Sequence, residues 1–452
     1  MNEPRSIDAS PHGHKVLSVM RAALAAVEPG AAVRAHVSRD GDRLIVDGRP
    51  FDLGSFDRVI LVGAGKASVP MARAVVGLAG DRIAAGLAVT QRGHLPMGLD
   101  LGPVEIAEAG HPVPDQAGCD ATRRIMELVS SANERDLVIA VLTGGGSALL
   151  AAPAPGLTVD DLATATRLML ASGAPIEELN AVRKHLSAAT GGRLARLAAP
   201  ATVVALVLSD VVDDPLDTIA SGPLSPDPTT YADAVRVLRE RELEGGMPEA
   251  VRAHLERGAR DEVAETPKPG DPAFDRVRCV IVGSGALAAR AAAAQARREG
   301  LGALVLSASM TGEAREVGRA AGALARDLAT RDVPVPRPAC VVLAGETTVQ
   351  VRGKGRGGRN QELALAAAVE MEGLSDAMVV ALGTDGRDGP THAAGAVATG
   401  ETVVRARDAG LDPLAHLDDN DACPFFEALG DLVVTGPTLT NVGDLLLVFA
   451  FS

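Results

Sequence analysis

Of the 44 basic residues in this chain only five are lysines: Lys15, Lys66, Lys184, Lys268 and Lys354. Arginine carries nearly every other positive charge, so a lysine inside a glycine-rich turn asks for a reason. Lys66 stands in "LVGAGKASVPMARAVVGL" behind Gly63 and Gly65, and Lys184 and Lys354 also adjoin glycine-rich stretches. A compact ammonium on a flexible stem can follow a transferring phosphoryl group as a point charge, which a planar guanidinium does less well. In "VLTGGGSALL" the run Gly144, Gly145, Gly146 and Ser147 follows an apolar strand and precedes a helical turn. Successive backbone N–H groups there can form a concave anion site, expected for phosphate or carboxylate. Neither segment has the GxxxxGK[ST] spacing of a P-loop, so the usual nucleotide-triphosphatase inference is not open.

Further candidates lie downstream. "NAVRKHLSAATGGRLA" gathers Asn180, Arg183, Lys184 and His185, expected on a helix start before a Gly-Gly break. "LSDVVDDPLDTIASGP" places Asp210, Asp213, Asp214 and Asp217 just past a strand end, and "LGTDGRDGPTHAAGA" does the same with Asp385 and Asp388. Carboxylates at such ends can hold Mg²⁺ or accept a proton. They also make ordinary turns, and spacing does not separate the two readings. "GKGRGGRNQELAL" brings Lys354, Arg356 and Arg359 onto a loop ahead of a helix beginning near Asn360. Arg359, nearest that helix, is the best of the three for gripping anionic oxygens. Together these residues describe phosphoryl transfer to a small acidic molecule, a reaction catalysed mostly by positioning and charge neutralisation.

The elements that must carry them alternate. Short apolar runs at Val59–Val62, Leu137–Leu142, Val203–Leu208, Cys279–Val282, Ala303–Leu306, Val341–Leu343, Met378–Leu382 and Leu445–Phe449 suit strands covered on both faces. Several lead through a glycine turn into a helix. After Lys66, the residues Met71, Ala74, Val75 and Leu78 form one apolar stripe, with Ser68 expected as its cap. The pattern is α/β. Glu244–Asp275, rich in Gly, Pro and charge, is expected to be a linker, and the alternation across Thr347–Arg352 an exposed strand in a mixed sheet. "VIVGSGALAARAA" resembles a dinucleotide fingerprint, but the following strand ends "LVLSAS" without the acid that would take ribose hydroxyls. It is expected to be a structural turn.

Composition narrows the classes. The 452 residues are 47% hydrophobic and 23% charged, with no Trp, one Tyr and seven Phe. A core of Ala, Val and Leu follows, and the length admits two domains. A net charge of -14 without a basic run speaks against nucleic acid. Cys119, Cys279, Cys340 and Cys423 lack metal or redox spacing and are expected as buried free thiols. A polar N-terminus without a signal-like core, and no span-length apolar stretch, lead to the expectation of a cytoplasmic protein with no membrane partner.

In order along the chain stand "GAGKAS", "GHPVPD", "GGGSALL", "NAVRKHLS", "SDVVDDPLDTIASGP", "GETT", "GGRNQELAL" and "GTDGRDGPT". From about Val16 to Phe451 the sequence resembles the class II glycerate kinases, the glycerate 2-kinases with a C-terminal MOFRL domain. The resemblance implies ATP-dependent phosphorylation of D-glycerate to 2-phosphoglycerate with Mg²⁺. It also implies two α/β domains with the site in the cleft between them, the first (1–240) a Rossmann-like α/β/α layer structure with a parallel sheet. The second (241–452) would carry a mixed sheet and the MOFRL region, about 338–450. Lys66 and Arg359 fall on the family's GxGKA lysine and GGRNQE arginine and become candidate catalytic residues. Asp385 is chosen as acceptor of the hydroxyl proton. Asp210 and Asp385 are the candidate metal ligands, and Asn360 joins the glycine loops, Ser147, Asn180, Arg183, Lys184 and Asp210 as candidate binding residues.

Two departures stand out. The family usually has Lys where this chain has Thr190, and Gly where it has Asp213, which would strain that loop if the backbone needs positive φ. Family members have also been labelled hydroxypyruvate reductases. An NAD(P)H-dependent reductase and a non-enzymatic binder of acidic metabolites therefore stay as alternatives, and a homodimer is left open.

Overall fold

The computed structural model describes residues 1–93 and 99–451. The chain forms two compact units, one of residues 29–209 and 214–282, the other of 1–28, 210–213 and 283 onward. The division differs from the expected boundary at 240/241. The N-terminal helices group with the later unit, and the first unit runs on to Val282.

The first unit is built on a six-stranded sheet. Its strands are β1 (Arg58–Ala64), β2 (Ile83–Gln91), β3 (Val104–Ala109), β4 (Asp136–Thr143), β5 (Thr202–Leu208) and β6 (Val277–Gly283), in the spatial order β3-β2-β1-β4-β5-β6. β1 to β5 run parallel. Every residue of β4, and all but the first of β1 and β5, are buried, which is why these strands are unbroken apolar runs. β2 and β3 escaped the sequence reading. "IAAGLAVTQ" has too much Ala and Gly for an apolar run, and "VEIAEA" is half-exposed. The strand order reverses between β1 and β4, and in open α/β sheets ligands bind at such a switch point, beyond the carboxyl ends of the strands. Helix α1 (Ser68–Ala79) follows β1, and the short α2 (Gly146–Leu149) follows β4. α3 (Val159–Ala171) and α4 (Ile176–Leu186) come next.

Three local expectations are corrected here. Ala67, not Ser68, stands at the cap of α1, and the Ser68 hydroxyl donates to Val89 O at 2.8 Å. The expected linker contains α5 (Glu249–Ala259), whose Val251 and Leu255 are fully buried in the helical subdomain beside α4. All four cysteines are free, but only Cys340 and Cys423 are buried.

The second unit carries a mixed sheet of β7 (Gly302–Met310), β8 (Ala339–Gly345), β9 (Ala377–Gly383), β10 (Gly395–Thr399), β11 (Leu432–Val433) and β12 (Asp444–Ala450). The spatial order is β7-β8-β12-β9-β10-β11, with β7 and β8 parallel and the remaining pairs antiparallel. α6 (Gly285–Arg298), α7 (Ala314–Arg331) and α8 (Arg359–Glu370) belong to this unit. Ala, Leu, Val and the Phe425–Phe426 pair fill the core around α8. Thr347–Arg352 is not a strand. Its single bridge joins Thr348 to Glu313, Thr348 N–H donates to Gly312 O, and two later amides go to side chains: Gln350 N–H to the Glu313 carboxylate, Arg352 N–H to Asn420 Oδ1. The period-two pattern does not survive in the burial: Thr347 is buried and Val351, which a strand would place on the same face, is exposed.

Candidate active site

In the first unit the two glycine segments meet at the switch point. Gly63 and Ala64 pair with Val141 and Leu142 in parallel register, so β1 and β4 end side by side. Lys66 N–H donates to Gly144 O at 3.0 Å and Ala67 N–H to Thr143 Oγ1 at 3.1 Å. Gly65 (φ 128°) is required by this join, because a Cβ there would stand 2.1 Å from Thr143 Oγ1. Gly145 (φ 83°) leaves its Cβ position to the Lys66 stem and the His111 ring, at 3.3 and 3.1 Å. Lys66 is partly exposed, and among the described residues no carboxylate pairs with its ammonium. Gly63, Gly65, Lys66 and Gly144–Ser147 therefore lie together within one unit.

Arg183, Lys184 and His185 do not start a helix; they form the last turn of α4, where cations complement the helix dipole. Two of the three are committed internally. Lys184 is 1% exposed and lies 3.2 Å from both Asp217 and Asp227, a buried bridge that removes it from the ligand-binding candidates. The His185 ring meets Glu265 Oε1 at 2.9 Å. Burial would raise the Glu265 carboxyl, but this contact and the N–H groups of Thr266 and Tyr231 hold it well below the usual range. Arg183 alone has no partner among the described residues. It lines a small cavity with Ser147, Ser187, Thr190 and Ser221, backed by apolar residues of α3 and α4. Asn180 joins the same wall from behind. Its Nδ2 donates to Thr218 O at 3.1 Å, and Ser221 Oγ donates to its Oδ1 at 2.9 Å.

In the second unit β12 runs opposite to β8 and β9, so Asp444 at its start pairs with Gly345 and Gly383 at their carboxyl ends. Arg359, the first residue of α8, grips Asp444 with both ends of its fork, Nε to Oδ2 at 2.6 Å and Nη2 to Oδ1 at 3.0 Å. Its Nη1 donates to Glu346 at 2.5 Å. Burial works against the Arg359 charge, and Asp444 more than offsets it. Burial also pushes the Asp444 carboxyl up to about 6, against the pull of Arg359 and Asn360. Asn360 is spent on two carboxylates, Asp444 at 2.9 Å and Asp388 at 3.3 Å. Asp388, 2% exposed, accepts the amides of Asn360 and Gln361 and so closes the first turn of α8 from outside. The expected free Arg359 fork and free Asn360 are thus corrected to members of a carboxylate network. Glu346 and Asp444 went unnoticed in sequence, although "GETT" and "NVGDLLL" both place an acid at a strand end.

Asp385 follows β9, is partly exposed, and uses only Oδ1, which accepts from Arg387 N–H at 2.9 Å. Asp210 follows β5 and groups with the second unit. Asp213, where the family usually has Gly, adopts φ 64°, the strained conformation anticipated for that substitution, and its carboxylate accepts from Ser309. Among the described residues no three His, Cys, Asp or Glu side chains converge as a metal site held by protein alone. Mg²⁺ seldom needs one, since it commonly uses one or two carboxylates with substrate phosphates. The open oxygen of Asp385 fits that use.

Residues 15–256 match a family model described as a domain of unknown function, DUF4147, and residues 339–444 match the MOFRL family. The chain is 43% identical to D-glycerate 2-kinase of Thermotoga maritima, covering 87% of this chain and 91% of that protein. It is 45% identical to a putative hydroxypyruvate reductase of Agrobacterium vitis over 86% of both. A crystal structure of glycerate kinase from Thermotoga maritima superposes with a TM-score of 0.85 at 40% identity, covering 97% of this chain and 100% of that one. The two α/β units, the switch-point lysine and these likenesses agree: this chain belongs to the glycerate 2-kinase family with a C-terminal MOFRL domain.

Proposed function

We propose that this protein transfers the γ-phosphoryl group of ATP to the 2-hydroxyl of D-glycerate. The observation that carries the reading is Lys66, an ammonium with no carboxylate partner among the described residues, held between two glycine-rich strand ends at the switch point of a parallel sheet. A charge left without a protein partner there is available for phosphate oxygens. In the step, the hydroxyl oxygen bonds to phosphorus as the β–γ bridging P–O bond breaks, and the hydroxyl proton passes to Asp385. Lys66 neutralises charge on the group in transit. Arg359 has two N–H donors left after its three carboxylate bonds and presents them to phosphate oxygen. Mg²⁺ would be held by Asp385, with Asp210 as second carboxylate, and would supply charge neutralisation between phosphate oxygens.

The topology gives the reductase reading no support. β6 and β7, on either side of the Gly283-Ser284-Gly285 turn, belong to different sheets, so that turn is not the phosphate loop of one βαβ unit. Ser284 instead caps α6 through Leu287 N–H. The test is ³¹P NMR of ATP and D-glycerate with and without the protein. A new phosphomonoester signal coupled to C2–H is expected. Unchanged ATP, or oxidation of NADH by hydroxypyruvate in its place, would reject the kinase.

A further inference from the structure

Three basic residues end α4, and two have found anionic partners. Arg183 has none among the described residues, and burial pushes its guanidinium down to about 10, the mark of an uncompensated charge. An arginine cannot escape by losing its proton near neutral pH, so a partly buried and unpaired one calls for an anion from outside. A second observation points into the same cavity. Thr190 is 2% exposed, and its Oγ1 has no hydrogen-bond partner among the described residues. A buried hydroxyl left unmatched is costly unless a ligand completes it.

The opposite side of the cavity offers acceptors. Asn180 Nδ2 donates to Thr218 O, which turns its Oδ1 toward Ser221. Ser221 must therefore spend its only proton on Asn180, and Ser147, 2.8 Å away, must donate to Ser221. Ser147 is left with lone pairs for an incoming hydroxyl. This relay is held by unusual backbone: Ala220 (φ 51°), Ser221 (φ 57°) and Gly222 (φ 57°) are left-handed in succession. Such strain in non-glycine residues collects at ligand sites.

We propose that this cavity seats the acceptor acid, with Arg183 and Thr190 holding its carboxylate and Ser147 accepting from one of its hydroxyls. The assignment deepens the kinase reading and rests on it. It leaves Arg359, which two carboxylates already occupy, to phosphate oxygen and gives the acid's carboxylate to Arg183, unpaired among the described residues. Arg183 is a binding residue in this scheme, and Thr190 sets preference for a carboxylate over a neutral group.

The test is calorimetric titration of D-glycerate into the full-length protein without nucleotide, with phosphoryl transfer measured in parallel. Arg183→Ala should weaken glycerate about 10- to 100-fold, as for a hydrogen-bonded charge pair, and added guanidinium ion should restore part of the loss. Thr190→Val should weaken it several-fold, and Thr190→Ser should not. Neutral glyceramide should bind wild type far more weakly than glycerate, and bind Arg183→Ala no worse than wild type. Thermal melts of Arg183→Met, which keeps the apolar stem, check that the fold survives. Glycerate affinity in Arg183→Ala within twofold of wild type, or equal wild-type affinity for glyceramide and glycerate, would overturn the assignment. Wild type that binds glycerate through Arg183 but transfers no phosphoryl group would reject the kinase and uphold the anchor.

Discussion

The backbone N–H of Lys66 donates to the carbonyl of Gly144 at 3.0 Å, tying the end of β1 to the end of β4. That one bond makes a single corner of two motifs 78 residues apart in the chain and fixes the root of the lysine side chain. What varies afterwards is only where the ammonium points.

Lys66→Ala should therefore lower kcat about 100- to 1,000-fold, the range for losing one electrostatic contact to a charged transition state. The melting temperature should stay near wild type, because no carboxylate depends on the ammonium. A coupled ADP-release assay and a circular-dichroism melt check both halves. Near wild-type turnover would remove Lys66 from the reaction.

Gly65→Ala should unfold the corner itself. Its φ of 128° and the 2.1 Å approach to Thr143 Oγ1 leave no room for a methyl group, so a loss of about 1–3 kcal/mol is expected by denaturant titration. Gly245→Ala is the control: nothing lies within 4 Å of its Cβ position, and a change below about 0.5 kcal/mol is expected.

Acid should destabilise the first unit through Glu265. Its folded-state carboxyl lies below the ordinary value of 4.5, so the unfolded chain binds the proton first. The stabilisation is fully present above about pH 4.5 and is lost as pH falls below it. Urea midpoints between pH 3 and 7 should drop steeply at the acid end for wild type and less for Glu265→Gln. Parallel curves would show that Glu265 contributes nothing to the slope.

Asp444→Asn should injure both stability and activity. It keeps the shape but takes the charge from the buried carboxylate that half-buried Arg359 grips with two prongs, a loss on the order of 1–3 kcal/mol. Since Arg359 begins α8, kcat should fall at least tenfold with little change in the KM for glycerate. A rise in that KM instead would assign the glycerate carboxylate to Arg359.

Arg183→Met should raise the melting temperature of the ligand-free protein, since it removes a charge with no partner. The same change should abolish the upward shift that D-glycerate gives wild type. Scanning fluorimetry with and without the acid reads both. A lower ligand-free melting temperature would mean that the guanidinium has a structural partner after all.

The sequence by itself determined the α/β class, the eight apolar strands, the glycine corners and the types of residue that could neutralise phosphate. Those follow from local rules: apolar runs need cover on both faces, and glycine turns are needed where a Cβ would collide. Aspartate at position 213 was legible as strained for the same reason, and its φ of 64° agrees. Tertiary structure alone decided which charges were free. Lys184, Arg183 and Arg359 look alike as basic residues near glycines, yet Lys184 is closed off by Asp217 and Asp227, and Arg359 is shared between Asp444 and Glu346. Of these three, Arg183 is the one that lines a cavity with no partner among the described residues. Whether a charge serves the fold or a ligand depends on partners that lie tens of residues away. Local spacing carries no record of them, because pairing is set by how strands and helices are brought together in space.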